Sequence, residues 1–559
     1  MGVHSRRMML ATGATAAMWL VANSPAAAAL QCKDLTAETL GMEGITIQTS
    51  ESIVPDDRLA GGHCLVEAKT AERTGIDNQP YAISFELRMP DDWNGRFFHQ
   101  LNGTVGEIIP AVGLMLGGDI SRKALDLGYA VLSSDGGHDR GRRHDDGLLI
   151  AAGLFGLDPQ ARSYHGYMSL QTLSPIAKKL IATYYDRPVE HSYAVGCSIG
   201  GRSAILAAAL QPDEYDGILA GAPGLDMPRA ALQHPLDVQT FAALAGDLAS
   251  AFSPADLTLV ADGIRATCDK LDGVEDGMVL DTRACQATFD ITTLQCGPES
   301  GQPCLSPQQV AALQKVHAGP KDKNGTSLYS DWLWDVGIGA SYWRLWKLES
   351  EVSIWGRMPV IVIAGAPALA YVYSTPPTQL ESTPAALEKF LLDFDLDRDA
   401  AKIDATDGPF KESATDFMTP PGVRDPELHT FKASGGKMLI FHGTSDPMFS
   451  EKATERWYAR LAEKNGGSAA DFAKYYPVPG MTHCAGGPAT DDLSFFDTLV
   501  EWVEAGVEPH AVTAAVRPNN EDIPPEWSKE RTRPLCPWPQ VARYRDGDIE
   551  KAESFACAQ

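Results

Sequence analysis

Basic residues are scarce in this chain: 47 Lys and Arg stand against 73 Asp and Glu, a formal net charge of −26. A general nucleic-acid binder needs an excess of cations to neutralise phosphates, so that class is excluded. An anionic membrane surface is an equally poor match, and a neutral or weakly charged organic partner fits better. No pair among the ten cysteines has C-x-x-C spacing, which argues against a thiolate zinc site or a dithiol redox motif. Beyond the N-terminal segment no run is long and apolar enough to span a bilayer. There is no internal repeat, and no low-complexity stretch after that segment.

What is present points to an exported globular protein. The hydrophobic and charged fractions, 44% and 21%, are those of soluble domains. A length of 559 residues implies one large domain with a substantial insertion, or two domains. Residues 1–29 read as a signal peptide: a basic start, an apolar middle from Met8 to about Ala22, and small residues ending at Ala29. Arg6 and Arg7, followed by Met8, Met9 and Leu10, resemble a twin-arginine signal; an ordinary Sec signal that happens to carry two arginines is the other reading. The expected location is secreted or periplasmic. An even number of cysteines in an oxidising compartment favours disulfides. Spacing leaves their connectivity open, with Cys268 and Cys285, and Cys296 and Cys304, as close candidate pairs.

From residue 30 to 224 strand-like runs ("YAISFELRMP", "GRFFHQLNG", "GYAVLSSD", "EHSYAVGCS", "YDGILAGAP") alternate with helical ones ("SLQTLSPIAKKLIATYY", "GGRSAILAAALQPDEY"). That alternation predicts an α/β fold with a mainly parallel sheet. Regularity lapses over 225–432. It returns in 433–559 with the strand "GGKMLIFHG", the amphipathic "EKATERWYARLAEKNG", the strand "AKYYPVPG" and the helix "LSFFDTLVEWVEAG". The middle segment therefore reads as an insertion into an α/β core.

Gly196-Cys197-Ser198-Ile199-Gly200 satisfies G-x-S-x-G with a strand running in and a helix running out. This is the setting of a nucleophile elbow, in which a sharp turn lifts a serine hydroxyl above the sheet. The helix N-terminus then presents amides to the reacting oxygen. A serine needs a base, and the base a carboxylate to orient it; in the α/β-hydrolase fold they follow in the order Ser, acid, His. Asp446 in "FHGTSDPMF" and His483 in "GMTHCAGG" each lie just past a strand. Read singly, Asp446 is also a turn-former before Pro447 and His483 a satisfied loop histidine. Ser198 and His483 each have a cysteine neighbour. If Cys197 and Cys484 are bonded, their Cα atoms lie about 4.4–6.8 Å apart, which brings the two loops together.

On Cys197-Ser198, Asp446 and His483-Cys484 the chain resembles the tannase and feruloyl esterase family, with its CS–D–HC arrangement. "GCSIGGRSAI", "HCAGGPATDDLSFFDTLVEWVEAG" and the tail "RPLCPWPQVARYRDGD" extend the resemblance across the mature chain. It implies an α/β-hydrolase fold with 225–432 as a lid, and disulfides Cys32–Cys64, Cys197–Cys484, Cys268–Cys285, Cys296–Cys304 and Cys536–Cys557. It implies a serine carboxylic ester hydrolase acting through an acyl-enzyme on small aromatic esters of hydroxycinnamic, gallic or related acids, or on terephthalate half-esters. No organic cofactor is expected. Structural Ca²⁺ is expected in the acidic loop "CDKLDGVEDGMVLDTRAC", on the side chains of Asp269, Asp272 and Asp276 and the carbonyls of Val274 and Met278. The loop lacks EF-hand spacing, and a solvated acidic loop is the plainer reading. The oxyanion amides are assigned to Gly103 and Ile199, although "HQLNGTVGE" is poorer in glycine than the family's usual loop. Trp332, Trp334, Trp343 and Trp346 form either an aromatic platform for substrate or lid core, and Arg344 binds either a substrate anion or a lid acid. A serine peptidase of the same fold and a catalytically silent binding protein are the rival classes.

Overall fold

The computed structural model describes residues 30–55, 59, 61–102, 106, 108–116, 122–139, 146–297 and 302–559. The expected signal peptide and Gly103 lie outside them. Nine strands form one sheet: β1 (Ile45–Ile53), β2 (His63–Thr74), β3 (Pro80–Pro90), β4 (Arg96–Leu101), β5 (Ala130–Ser134), β6 (His191–Cys197), β7 (Gly217–Gly221), β8 (Lys437–Gly443) and β9 (Ala473–Val478). Their order is β1-β2-β3-β5-β4-β6-β7-β8-β9. The β1/β2, β2/β3 and β3/β5 pairs are antiparallel, and every pair from β5/β4 to β8/β9 is parallel. The sheet is thus mixed, with an antiparallel edge on the parallel half that the sequence indicated. β1 and β2 are absent from that reading.

The central strands are continuous apolar runs because both faces are covered. Phe97, Ala194, Ile218, Met438 and Tyr475 enter one core, packed under the helices Ser169–Tyr185 and Ile199–Leu210. Their sequence neighbours Phe98, Val195, Leu219, Leu439 and Tyr476 enter the other, with Phe495 and Leu499 of the helix Phe495–Ala505. The period of two is the strand signature. The helix after Ser198 ends at Leu210, short of the predicted "QPDEY", because Pro212 cannot continue it.

β7 and β8 are adjacent and parallel, yet more than two hundred residues of chain separate them. That excursion is helical and irregular, contains no named strand among the described residues, and packs an apolar core around Phe241, Val260, Leu313 and Leu369 that also takes in Tyr81, Phe155 and Phe449 from outside it. Beyond β9, Asp492–Leu493, Val512–Ala515 and Thr532–Leu535 form a small antiparallel sheet, and Val541–Tyr544 pairs with Phe555–Ala558. All five disulfides have the pairing expected from the resemblance. No helix of the described residues is long and apolar enough to cross a membrane.

Candidate active site

β6 delivers Ser198 at the carboxyl edge of the parallel strands. The serine has φ +64° and ψ −121°, a backbone conformation that L-residues rarely adopt, and it is held there by its surroundings. Ser198 N donates to Gly221 O at 3.0 Å, and Ser198 O accepts from Arg202 N at 3.0 Å. The turn is tight enough to exclude side chains: a Cβ on Gly200 would sit 2.1 Å from Leu101 O, and one on Gly201 2.2 Å from Gly221 O. Ile199 is the first residue of the following helix, so its amide stands at the helix N-terminus beside the serine.

Asp446 follows β8 and His483 follows β9, and the structure brings them together. His483 Nδ1 lies 2.7 Å from Asp446 Oδ2, both groups buried. The other carboxylate oxygen, Oδ1, accepts from the amides of Met448 (2.7 Å) and Phe449 (3.1 Å). Burial alone would push the Asp446 carboxyl up; the charge of His483 and hydrogen bonds from His442 and His483 outweigh it and hold the group below the usual carboxylate range. An ionised carboxylate only accepts, so Nδ1 of His483 carries a hydrogen and donates it to Asp446 Oδ2.

His442 is a site residue that the sequence reading passed over. Its Nε2 lies 3.1 Å from the same Asp446 Oδ2, and its Nδ1 2.8 Å from Thr454 Oγ1, fully buried. The only signal was its place four residues before Asp446, at the end of a strand where a core residue is equally expected.

The staple joins the two loops: Cys197 and Cys484 are bonded with Cα atoms 6.1 Å apart. Cys484, like Ser198, has positive φ (+67°). Ser198 is half-buried, and no hydrogen bond of 3.5 Å or less joins its hydroxyl to His483.

The imidazole of His483 is framed by two rings at edge-on angles, Phe449 (5.5 Å between centroids) and Trp346 (5.6 Å). Trp346 comes from the inserted segment, so that segment packs over the His483 imidazole. The other three tryptophans are packing elements: Trp334 stacks on His317 at 3.7 Å, Trp332 donates to Gln233, and Trp343 is buried. Arg344 pairs with Glu349 at 2.7 Å and donates to the carbonyls of Phe252 and Ala249, which answers its alternative in favour of a lid acid.

A cavity of about 100 Å³ opens beside the elbow, lined by Ile199, Phe449, Met448, Phe155, Met227 and Tyr373 among others. No Asp, Glu, Lys or Arg lines it among the described residues. Its polar groups include His165 and His234, each with an Nδ1 that has no hydrogen-bond partner. Burial lowers both, His234 to about 3, so both are neutral imidazoles.

In the acidic loop the carboxylates turn toward backbone amides. Asp269 accepts from Asp276 N and Gly277 N, Asp272 from Val274 N and Leu280 N, and Asp276 from Met278 N. Asp276 also pairs with the buried Arg533. No three Asp, Glu, His or Cys side chains gather closely enough to hold a metal ion among the described residues. The chemistry of the donor set nevertheless suits a hard cation. Burial pushes the Asp272 carboxyl up to about 7, with Asp276 and Asp269 adding repulsion.

The profile described as "Tannase and feruloyl esterase" matches residues 68–558. A mono(2-hydroxyethyl) terephthalate hydrolase of Piscinibacter sakaiensis is 40% identical over 523 residues, covering 89% of this chain and 85% of the relative. A probable feruloyl esterase of Arthroderma benhamiae is 31% identical over 508 residues, covering 88% and 84%. Among solved structures, feruloyl esterase B from Aspergillus oryzae superposes with a TM-score of 0.73 at 21% identity, covering 94% of this chain and 99% of that one.

Proposed function

The chain belongs to the tannase and feruloyl esterase family and is a carboxylic ester hydrolase; on that premise we propose that Ser198, His483 and Asp446 hydrolyse esters of neutral aromatic acids. The observation that carries this reading is the Asp446–His483 hydrogen bond on the loop stapled to the elbow.

Ser198 Oγ attacks the ester carbonyl as His483 Nε2 takes its proton, and the Asp446 carboxylate stabilises the imidazolium. The tetrahedral oxyanion is held by the amide of Ile199 and by that of Gly103, each donor contributing about 2.7–4 kcal/mol. His483 then protonates the departing alcohol, leaving an acyl-serine. Water, deprotonated by His483, attacks that ester; the acid leaves and Ser198 regains its proton.

The cavity beside Ile199 supports the choice of acyl group. It is apolar enough for an aromatic ring, and its imidazoles suit a hydroxyl or methoxyl substituent. A carboxylate buried there would find no cation among the described residues, and an unpaired buried charge is costly. The uncharged ring of a feruloyl-type ester suits this lining.

Structural Ca²⁺ in the loop Asp269–Met278 belongs to the same proposal, on the chemistry of its crowded carboxylates; Asp269, Asp272 and Asp276 with the carbonyls of Val274 and Met278 would hold it. It takes no part in the ester chemistry. Export through the N-terminal signal agrees with five disulfides.

The test is Ser198→Ala, expected to leave hydrolysis of methyl ferulate near background and to abolish covalent labelling by a fluorophosphonate. Retained turnover in that variant would refute the assignment.

A further inference from the structure

Asp335 lies in the inserted segment, between Trp334 and Val336, and its side chain is buried against the two loops that carry Asp446 and His483. Its Oδ1 caps its own chain at Val336 N, 2.8 Å away. Its Oδ2 accepts from three donors outside the segment: Thr444 Oγ1, Ser445 Oγ (2.8 Å) and Gly480 N (3.1 Å). Thr444 and Ser445 immediately precede Asp446. Gly480 stands three residues before His483. One carboxylate oxygen thus bridges the acid loop and the base loop.

The loops also contact each other at this point. Gly480 N donates to Thr444 Oγ1 at 2.9 Å, and Ser445 N to Met481 O at 3.0 Å. The inserted segment presses its backbone into the same junction: Gly337 N donates to Ser445 Oγ at 2.9 Å. A Cβ on Gly337 would fall 2.4 Å from that of Ser445, so the approach requires glycine.

From this bridge we infer that Asp335 is a positioning residue for the Asp446–His483 pair, and that docking of the inserted segment and assembly of the catalytic pair are one event. The inference rests on the triad reading proposed above. A carboxylate sharing three donors in a dry interior resists displacement more strongly than any one of those contacts. Without it, the Thr444 and Ser445 hydroxyls and the Gly480 amide lose their shared acceptor. The two loops would then rest on their direct contacts, Gly480 with Thr444, Ser445 with Met481 and His483 with Asp446, beyond the paired ends of β8 and β9.

The experiment compares Asp335→Ala and Asp335→Asn with wild type, using fluorophosphonate titration to count competent sites and methyl ferulate turnover per titrated site. A catalytic group misplaced by about 1 Å loses up to about 10²-fold in rate. Asp335→Ala is expected to lose turnover on that scale per titrated site, with KM within about twofold of wild type. Asp335→Asn, which keeps one acceptor oxygen, is expected to recover most of the loss. A merely structural role would lower the number of titratable sites and leave turnover per site unchanged; that result overturns the inference. Should Asp335→Ala fail to fold, Thr444→Val with Ser445→Ala removes the two hydroxyl donors, and wild-type turnover per site in that variant overturns it equally. Failure of the triad reading shows separately, as absence of labelling in wild type or activity in Ser198→Ala.

Discussion

Cys197 and Cys484 are joined across 287 residues of chain, and each is the immediate neighbour of a residue in the proposed nucleophile–base pair. Closing a loop of that length removes roughly 5 kcal/mol of unfolded-state entropy in the chain-entropy model. The bond also sits beside two positive-φ positions, Ser198 and Cys484 itself. Replacing both cysteines by serine is expected to lower the melting temperature and to cut kcat at least tenfold at temperatures where the fold persists. Circular dichroism alongside turnover separates the two effects, and unchanged kcat in the folded variant would remove the staple from the account.

The cavity beside Ile199 makes a prediction about substrate charge. At equal concentration, methyl ferulate is expected to be hydrolysed with a kcat/KM at least tenfold above that of the terephthalate half-ester. Gly365→Ala sharpens the test, because a Cβ there would lie 2.5 Å from His234 Cδ2 and must displace the imidazole from the lining. That variant should raise KM for the ferulate and leave fluorophosphonate labelling unchanged. A reversed substrate preference in wild type would show that a cation reaches the acyl group.

The calcium assignment is tested by chelation. Asp269, Asp272 and Asp276 lie within one short loop closed by the Cys268–Cys285 disulfide. Treatment with EGTA is expected to lower the melting temperature by several degrees, restored by Ca²⁺ but not by Mg²⁺, which demands a smaller octahedral shell. Asp272→Asn should abolish the response. Insensitivity of the wild type would return this loop to a plain acidic turn stabilised by its amides and Arg533.

Local order and long-range order differed in how far they could be read. Ser198 was legible because its motif, strand and helix are contiguous, and Asp446 and His483 because each lies just past a strand that could be recognised. β1 and β2 were not, for they form an antiparallel edge beside a half whose alternation with helices carried the signal. Asp335 was illegible for a different reason: its partners lie 109 to 145 residues away, and nothing local marks an aspartate amid tryptophans as a bridge. The tryptophans themselves left two readings open, and tertiary contact alone assigned Trp346 to the site and Trp334 to packing.

Glu451, like Asp272, adds a pH dependence to stability. It begins the helix Glu451–Lys464, five residues beyond Asp446, and lines a small cavity together with that residue. Its carboxyl accepts from Tyr475, yet burial pushes it up to about 7 from an ordinary 4.5, and Glu455 adds repulsion. A carboxyl whose folded value exceeds its unfolded one binds more protons in the native state. Its contribution to stability is therefore complete below about pH 4.5 and is lost as the pH rises through 7. The full loss amounts to roughly 3 kcal/mol, enough to move a melting temperature by several degrees. Wild type should lose stability between pH 5 and pH 8, and Glu451→Gln, which stays neutral and can still accept from Tyr475, should flatten that slope. Parallel melting curves for the two proteins across this range would mean that the charge on Glu451 is stabilised by something other than the contacts described here.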